Sequence, residues 1–197
     1  VQAKGAPSML NSIEHNRIEE LSTVSTIADG IAVKEPGAHT FELVSKYVDG
    51  IVTVTEDEIC AAILAMLEQQ KLISEGAGAV AVAAAMYNKV PISGKKVICL
   101  VSGGNIDVTI LSRVIGRGLD MSGRSYSVTI DLYDKPGQLM GVSKIIAGLG
   151  GNIISVLHER SSTGNNVTGC YLRLVMETRN SEHISMIRNA LLDAGYM

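Results

Sequence analysis

Val97-Ile98-Cys99-Leu100-Val101-Ser102-Gly103-Gly104-Asn105 is the stretch on which the reading of this chain turns. Five consecutive apolar residues, three of them β-branched, predict a strand buried on both faces, as in the middle of a parallel sheet. Such sheets take ligands beyond the carboxyl ends of their strands, which here is the turn Ser102-Gly103-Gly104-Asn105. Two glycines let backbone come close to a bound group, while Ser102 and Asn105 offer a hydroxyl and an amide to orient it. The same four residues read equally as a tight structural turn.

Working outward, Ile106 to about Gly116 continues as a helix, and Pro91 to Lys96 is the loop into the strand. Upstream, Glu75-Gly76-Ala77-Gly78-Ala79 opens a helix to about Asn88 that has almost no polar face, so it must be buried on most sides. Glu75 at its amino end is either a charge favourably placed at a helix terminus or part of a site. Thr55-Glu56-Asp57-Glu58 is a capping box, and the helix behind it carries Ile59, Ala62, Ile63, Met66 and Leu67 on one stripe. Earlier still come a short strand at Ile51 to Val54, a helix over Thr40 to Val48 and a short helix opened by Pro7-Ser8. Strand and helix alternate from Ile51 to Gly116, which argues an α/β layer with parallel strands.

The pattern breaks at Arg117 to Arg124, which separates a domain over 1–120 from a second over 125–197. In the second, Tyr126, Val128, Ile130 and Leu132 alternate with polar residues as a half-buried strand. A turn at Asp134-Lys135-Pro136-Gly137 leads to a helix marked by Leu139, Val142, Ile146 and Leu149. Asn152 to Arg160 is a second strand, Ser161 to Asn166 a hairpin loop, and Thr168, Cys170, Leu172, Leu174 and Met176 one face of a third. Asn180 or Ser181 caps a last helix with Ile184, Ile187, Leu191 and Ala194 inward. This is a split βαβ order in which a final strand is expected after Gly195-Tyr196; lacking it, the first strand would keep an edge open to another chain.

The chain has 197 residues, 46% of them apolar, with a formal net charge of −3. That suffices for real cores and provides no basic field for nucleic acid or an acidic membrane, so small molecules are the expected partners. Cys60, Cys99 and Cys170 have no spacing for zinc or for a disulfide framework, which suits a cytoplasmic setting. Cys99 and Cys170 read as core, His39, His158 and His183 as surface or turn residues, and the methionines as core filler. The longest apolar segment, Gly76 to Met86, is too short to span a bilayer. A start at Val1-Gln2-Ala3-Lys4 is no signal peptide, and the lack of an initiator Met suggests a piece of a longer chain.

Several of these stretches together resemble a known pair of modules. Ala28-Asp29-Gly30-Ile31, Val54-Thr55-Glu56-Asp57-Glu58, Glu75-Gly76-Ala77-Gly78 and Leu100-Val101-Ser102-Gly103-Gly104-Asn105-Ile106-Asp107 are similar to the later part of the threonine dehydratases (threonine ammonia-lyases). These are pyridoxal-phosphate enzymes of fold type II, related to serine dehydratase and serine racemase. Asp134-Lys135-Pro136-Gly137-Gln138-Leu139 with Gly151-Asn152-Ile153 resembles an ACT domain, a ferredoxin-like βαββαβ regulatory module that binds amino acids.

The resemblance implies a β-elimination in which the α-proton and the β-hydroxyl of threonine are lost, and the resulting enamine hydrolyses to 2-oxobutanoate and ammonia. It puts Ser102 opposite the cofactor's pyridine nitrogen, Gly103, Gly104 and Asn105 along the pocket wall, and Glu75 nearby. A neutral hydroxyl does not hold that nitrogen protonated as a carboxylate would, so the ring is a weaker electron sink. The family's Ser-Phe-Lys motif and phosphate-holding glycine run do not occur in this sequence. The chain by itself is therefore expected to carry no catalytic residue and to bind pyridoxal phosphate weakly or not at all. Positions that bind a divalent cation in serine racemase-like relatives match Gln2, Ala6 and Ser8; without carboxylates they predict no magnesium or calcium site, with a monovalent ion left open.

In the ACT-like unit, Gly137, Gln138 and Leu139 would present helix-terminal amides to an effector's carboxylate, with Asn152 and Ile153 adding an amide and an apolar wall, usually between two paired modules. The plainer alternative is a turn and a strand start. A homo-oligomer under amino-acid control follows from the resemblance. The rival readings are an amino-acid-sensing and self-association module only, and a serine dehydratase or serine racemase-like enzyme.

Overall fold

A computed structural model describes residues 1–160 and 169–197; the hairpin loop read at Ser161 to Asn166, and Thr168, lie outside the described residues. The chain divides into two compact units, Val1–Gly118 and Leu119–Met197. No helix among the described residues is long and apolar enough to cross a membrane.

In the first unit two short strands, β1 (Gln2–Ala3) and β2 (Thr53–Val54), pair in parallel with Ala3 opposite Val54. Around them lie α1 (Ser8–Glu14), α2 (Ala38–Tyr47), α3 (Glu56–Gln70), α4 (Gly76–Met86) and α5 (Val108–Met121) as far as Gly118. The capping box forms as read: Thr55 Oγ1 accepts from the Glu58 amide at 3.3 Å, and the Glu58 carboxylate accepts from the Thr55 amide at 2.8 Å. Val54, Ile59, Ile63, Ala79, Ala83 and Val114 are buried together as this unit's core. The small residues of α4 pack against α3, the closeness that an alanine-rich helix permits.

The predicted strand over Val97 to Val101 does not form. No described residue pairs with it, and Ile98 and Leu100 are 95% and 78% exposed. An extended segment becomes a strand only when neighbouring backbone takes up its amides and carbonyls, and the parallel pair in this unit is built elsewhere. The helix that follows starts at Val108 rather than Ile106 and continues through Met121, past the break read at Arg117.

The second unit comprises β3 (Ser125–Tyr133), α6 (Gln138–Gly148), β4 (Asn152–Arg160), β5 (Gly169–Glu177) and α7 (Ser181–Asp193). Its sheet is antiparallel with β5 in the centre, order β3-β5-β4. Val128, Ile130, Leu172 and Leu174 share the face that meets Ile146, Ile187 and Leu191 of the two helices. Asn180 Oδ1 caps α7 by accepting from the His183 amide at 2.9 Å.

Three expectations do not hold in this unit and its methionines. Ala194 is exposed, and the fourth inward position of α7 is His183, 2% exposed. The His183 ring accepts from the Arg179 amide at Nδ1 (3.1 Å) and donates from Nε2 to the Leu149 carbonyl (3.0 Å), so both nitrogens are satisfied in the core. Met140, Met186 and several other methionines are exposed rather than core. Tyr196 turns back toward Gly141 of α6.

Candidate functional site

Within the first unit, Glu75 is the N-cap of α4, and its side chain makes no capping hydrogen bond. Its backbone amide donates to the Gly103 carbonyl at 3.2 Å. The carboxylate lies against Gly103 and Gly30, where any Cβ would collide with it or crowd it. Gly103 also has φ of +75°, a backbone shape that favours glycine. A glycine at 103 thus serves two needs, the turn and room for Glu75. Gly78, one turn into α4, is equally constrained, because a Cβ there would run into the Ser102 carbonyl and Ser74 Oγ. These approaches hold the 102–105 segment across the amino end of α4.

Glu75 and Asn105 border one cavity of about 580 Å³, together with Thr26, Asp29 and Asp107. Asp107 caps α5: its Oδ1 accepts from the Thr109 amide at 2.7 Å and from the Ile110 amide at 3.3 Å. The Thr109 amide, above all, holds its carboxyl below the usual aspartate range. Ser102, Gly103 and Gly104 are exposed beside this cavity and do not line it. Asp29 and Asp107 are the wall residues that sequence reasoning missed; the signal was an Asp two residues after the turn, placed to cap the following helix.

Near the matched cation positions, Gln2 Nε2 donates to the Ala6 carbonyl at 3.3 Å and Gln2 Oε1 accepts from the Leu10 amide at 2.8 Å. The Gln2 side chain thus joins the Ala6 carbonyl to the first helix, α1.

In the second unit the five expected effector residues fall at two places. Gly137, Gln138 and Leu139 open α6 and border a cavity of about 380 Å³. Gly137 has φ of +91°, no side chain caps this helix, and the Gln138 amide donates to the Lys135 carbonyl at 3.5 Å. Asn152 and Ile153 stand at the opposite end of β4, roughly 20 Å along the strand from His158 at the cavity. Asn152 Nδ2 donates to Glu177 at 2.7 Å, and Ile153 packs on the core. Within one chain these residues do not make one site.

The cysteines differ. Burial pushes the Cys60 thiol up to about 11. Burial, with the Asp134 and Asp131 carboxylates, also raises Cys170, against the Arg160 guanidinium. Cys99, expected in the core, is only half-buried, with Sγ 3.6 Å from the Ala81 carbonyl.

Comparison with known proteins bears on both units. An L-threonine ammonia-lyase of Thermotoga maritima is 46% identical over 196 residues, and one of Geobacter sulfurreducens 40% over 197. Each match covers all of this chain and 49% of the relative, so the chain spans about half the length of these curated proteins. The solved processed form of threonine deaminase isoform 2 from Solanum lycopersicum superposes with a TM-score of 0.54 at 34% identity, over 58% of this chain and 34% of that one. Residues 1–103 match the profile of the pyridoxal-phosphate dependent enzymes. On that match, over more than half its length, the chain belongs to the pyridoxal-phosphate dependent enzyme family.

Proposed function

We propose that this chain is the later part of a threonine ammonia-lyase that converts L-threonine to 2-oxobutanoate and ammonia, with an ACT-like second unit that binds a regulatory amino acid. The observation that carries this reading is the end-to-end similarity, through both units, to two proteins described as L-threonine ammonia-lyases.

The residues present fit the ring-facing side of pyridoxal phosphate. They supply a hydroxyl on a glycine turn at Ser102, a carboxylate cradled by Gly30 and Gly103, and an adjoining cavity of about 580 Å³. When bound, the cofactor supplies the electron sink that loss of the α-proton requires. Ser102 would meet the pyridine nitrogen through its hydroxyl and leave the ring without a formal charge partner. Gly103 and Gly104 would keep the wall flat enough for a ring to lie against it, and Asn105 would orient groups at its edge. Glu75, with no partner for its carboxylate among the described residues, would act as a fixed negative charge beside the ring.

For the second unit, the uncapped amino end of α6 supports carboxylate binding, with Asn152 and Ile153 contributed by another copy in a homo-oligomer. Ile154, Val156 and Leu157 on the edge strand β4, each at least 43% exposed, are apolar side chains on its two faces that such an association could cover.

The test is an assay of the full-length protein for 2-oxobutanoate from L-threonine and pyruvate from L-serine. A hydrogen bond between neutral groups contributes about 0.5–1.5 kcal/mol, so Ser102→Ala should lower kcat/KM for threonine by roughly 2- to 10-fold. Turnover of serine alone, or an unchanged rate in the Ser102 variant, would reject the assignment. For the regulatory unit, titration with isoleucine, valine, threonine and serine should raise Tm with at least one of them; no response to any would remove it.

A further inference from the structure

The cavity at the amino end of α6 holds a second kind of chemistry. Asp134, His158 and Cys170 each offer one ligand atom, and these atoms all lie within 4.8 Å of one another. We propose that they form a binding site for a divalent transition-metal ion of the zinc class, with the remaining coordination position open to the cavity.

The sheet register brings the three together. Cys170 stands opposite Leu132 on β3 and opposite Arg160 on β4, while His158 is opposite Leu172. His158 and Cys170 are therefore diagonal neighbours on one face, and Asp134 follows Leu132 by two residues, which returns it to that side. Each strand or its immediate extension contributes one ligand.

The donor set selects the ion. Magnesium and calcium take oxygen ligands, whereas a thiolate, an imidazole and a carboxylate suit zinc and its neighbours. Typical zinc bond lengths at tetrahedral angles separate sulfur from nitrogen by about 3.6 Å, so closing the site needs a movement of about 1 Å. Cys170 is buried at 1% exposure and is the fixed point, while His158 and Asp134 are exposed and free to adjust by side-chain rotation. On binding, the metal–sulfur bond replaces the S–H bond and the proton leaves to solvent.

Besides the burial that favours the Cys170 thiol, an ion pair opposes the ion. Arg160 Nε lies 2.8 Å from Asp134 Oδ2. Its side chain is 83% exposed, and exposed pairs of this kind contribute little, so the guanidinium can swing to water while Asp134 turns to the metal. Three protein ligands with a fourth position facing about 380 Å³ of open cavity is the pattern of an open rather than a closed metal site.

Cobalt(II) titration of the full chain under reducing, oxygen-free conditions tests this. The expected result is one ion per chain, a sulfur-to-cobalt charge-transfer band in the near ultraviolet, and displacement by zinc. His158→Ala and Asp134→Asn, both exposed sites, should each weaken binding by at least about tenfold, and Cys170→Ser should remove the band while Cys99→Ser leaves it intact. Absence of the band at saturating cobalt, its survival in Cys170→Ser, or unchanged affinity in both His158→Ala and Asp134→Asn would overturn the proposal. Because the readout is cobalt absorbance, the result is independent of whether the cavity also takes an amino acid.

Discussion

Glu58 shows how much one residue can carry. Burial pushes its carboxyl up, but the hydrogen bond from Lys89 and the one from the Thr55 amide outweigh it, and it is held below the usual value of 4.5. The Lys89 Nζ to Glu58 Oε1 distance is 2.8 Å, with the Glu58 side chain only 13% exposed. A carboxyl lowered by folding adds stability above its unfolded pKa and loses it as pH falls through the folded one. Urea unfolding from pH 7 down through 4.5 and below should therefore show a smaller acid-induced loss in Glu58→Gln than in the parent. Thr55→Ala should cost about 1 kcal/mol at neutral pH, the usual value of an N-cap hydroxyl. The capping box was legible because its partners are three residues apart. His183 was not, because the Leu149 carbonyl that it meets is distant in sequence.

At the scale of elements, helices were read well, but the strand expected at Val97 to Val101 does not form and β1 was not expected. A helix satisfies its own backbone, so the local patterns at Glu56–Gln70 and Ser181–Asp193 were enough. A buried parallel strand depends on neighbours, and Val97 to Val101 has none among the described residues. What orders the following turn is α4, through the two glycines that admit it. Gly78→Ala should lower the unit's stability by about 1–3 kcal/mol, as overpacking does, because its Cβ would meet Ser102 and Ser74. Gly116→Ala, in α5 with open space around it, should instead stabilise by about 0.4–1 kcal/mol. Thermal melts of the two variants distinguish a packing requirement from a general aversion to alanine.

For the whole molecule, the two units have separate cores with no residue in common. Ile63 and Leu174 are each completely buried, one in each core. Ile63→Ala and Leu174→Ala should each cost about 2–5 kcal/mol, and differential scanning calorimetry should resolve a separate transition lowered by each substitution. The helices, the capping box, the strand alternation of the second unit and the motifs of the Ser102 turn are legible from sequence, because they depend on contacts a few residues away or on residue types alone. Packing sets Glu75 between Gly30 and Gly103, puts Asp29 and Asp107 on its cavity, and brings Asp134, His158 and Cys170 together. Each of those groupings joins segments set side by side by packing and strand register, which no local spacing encodes.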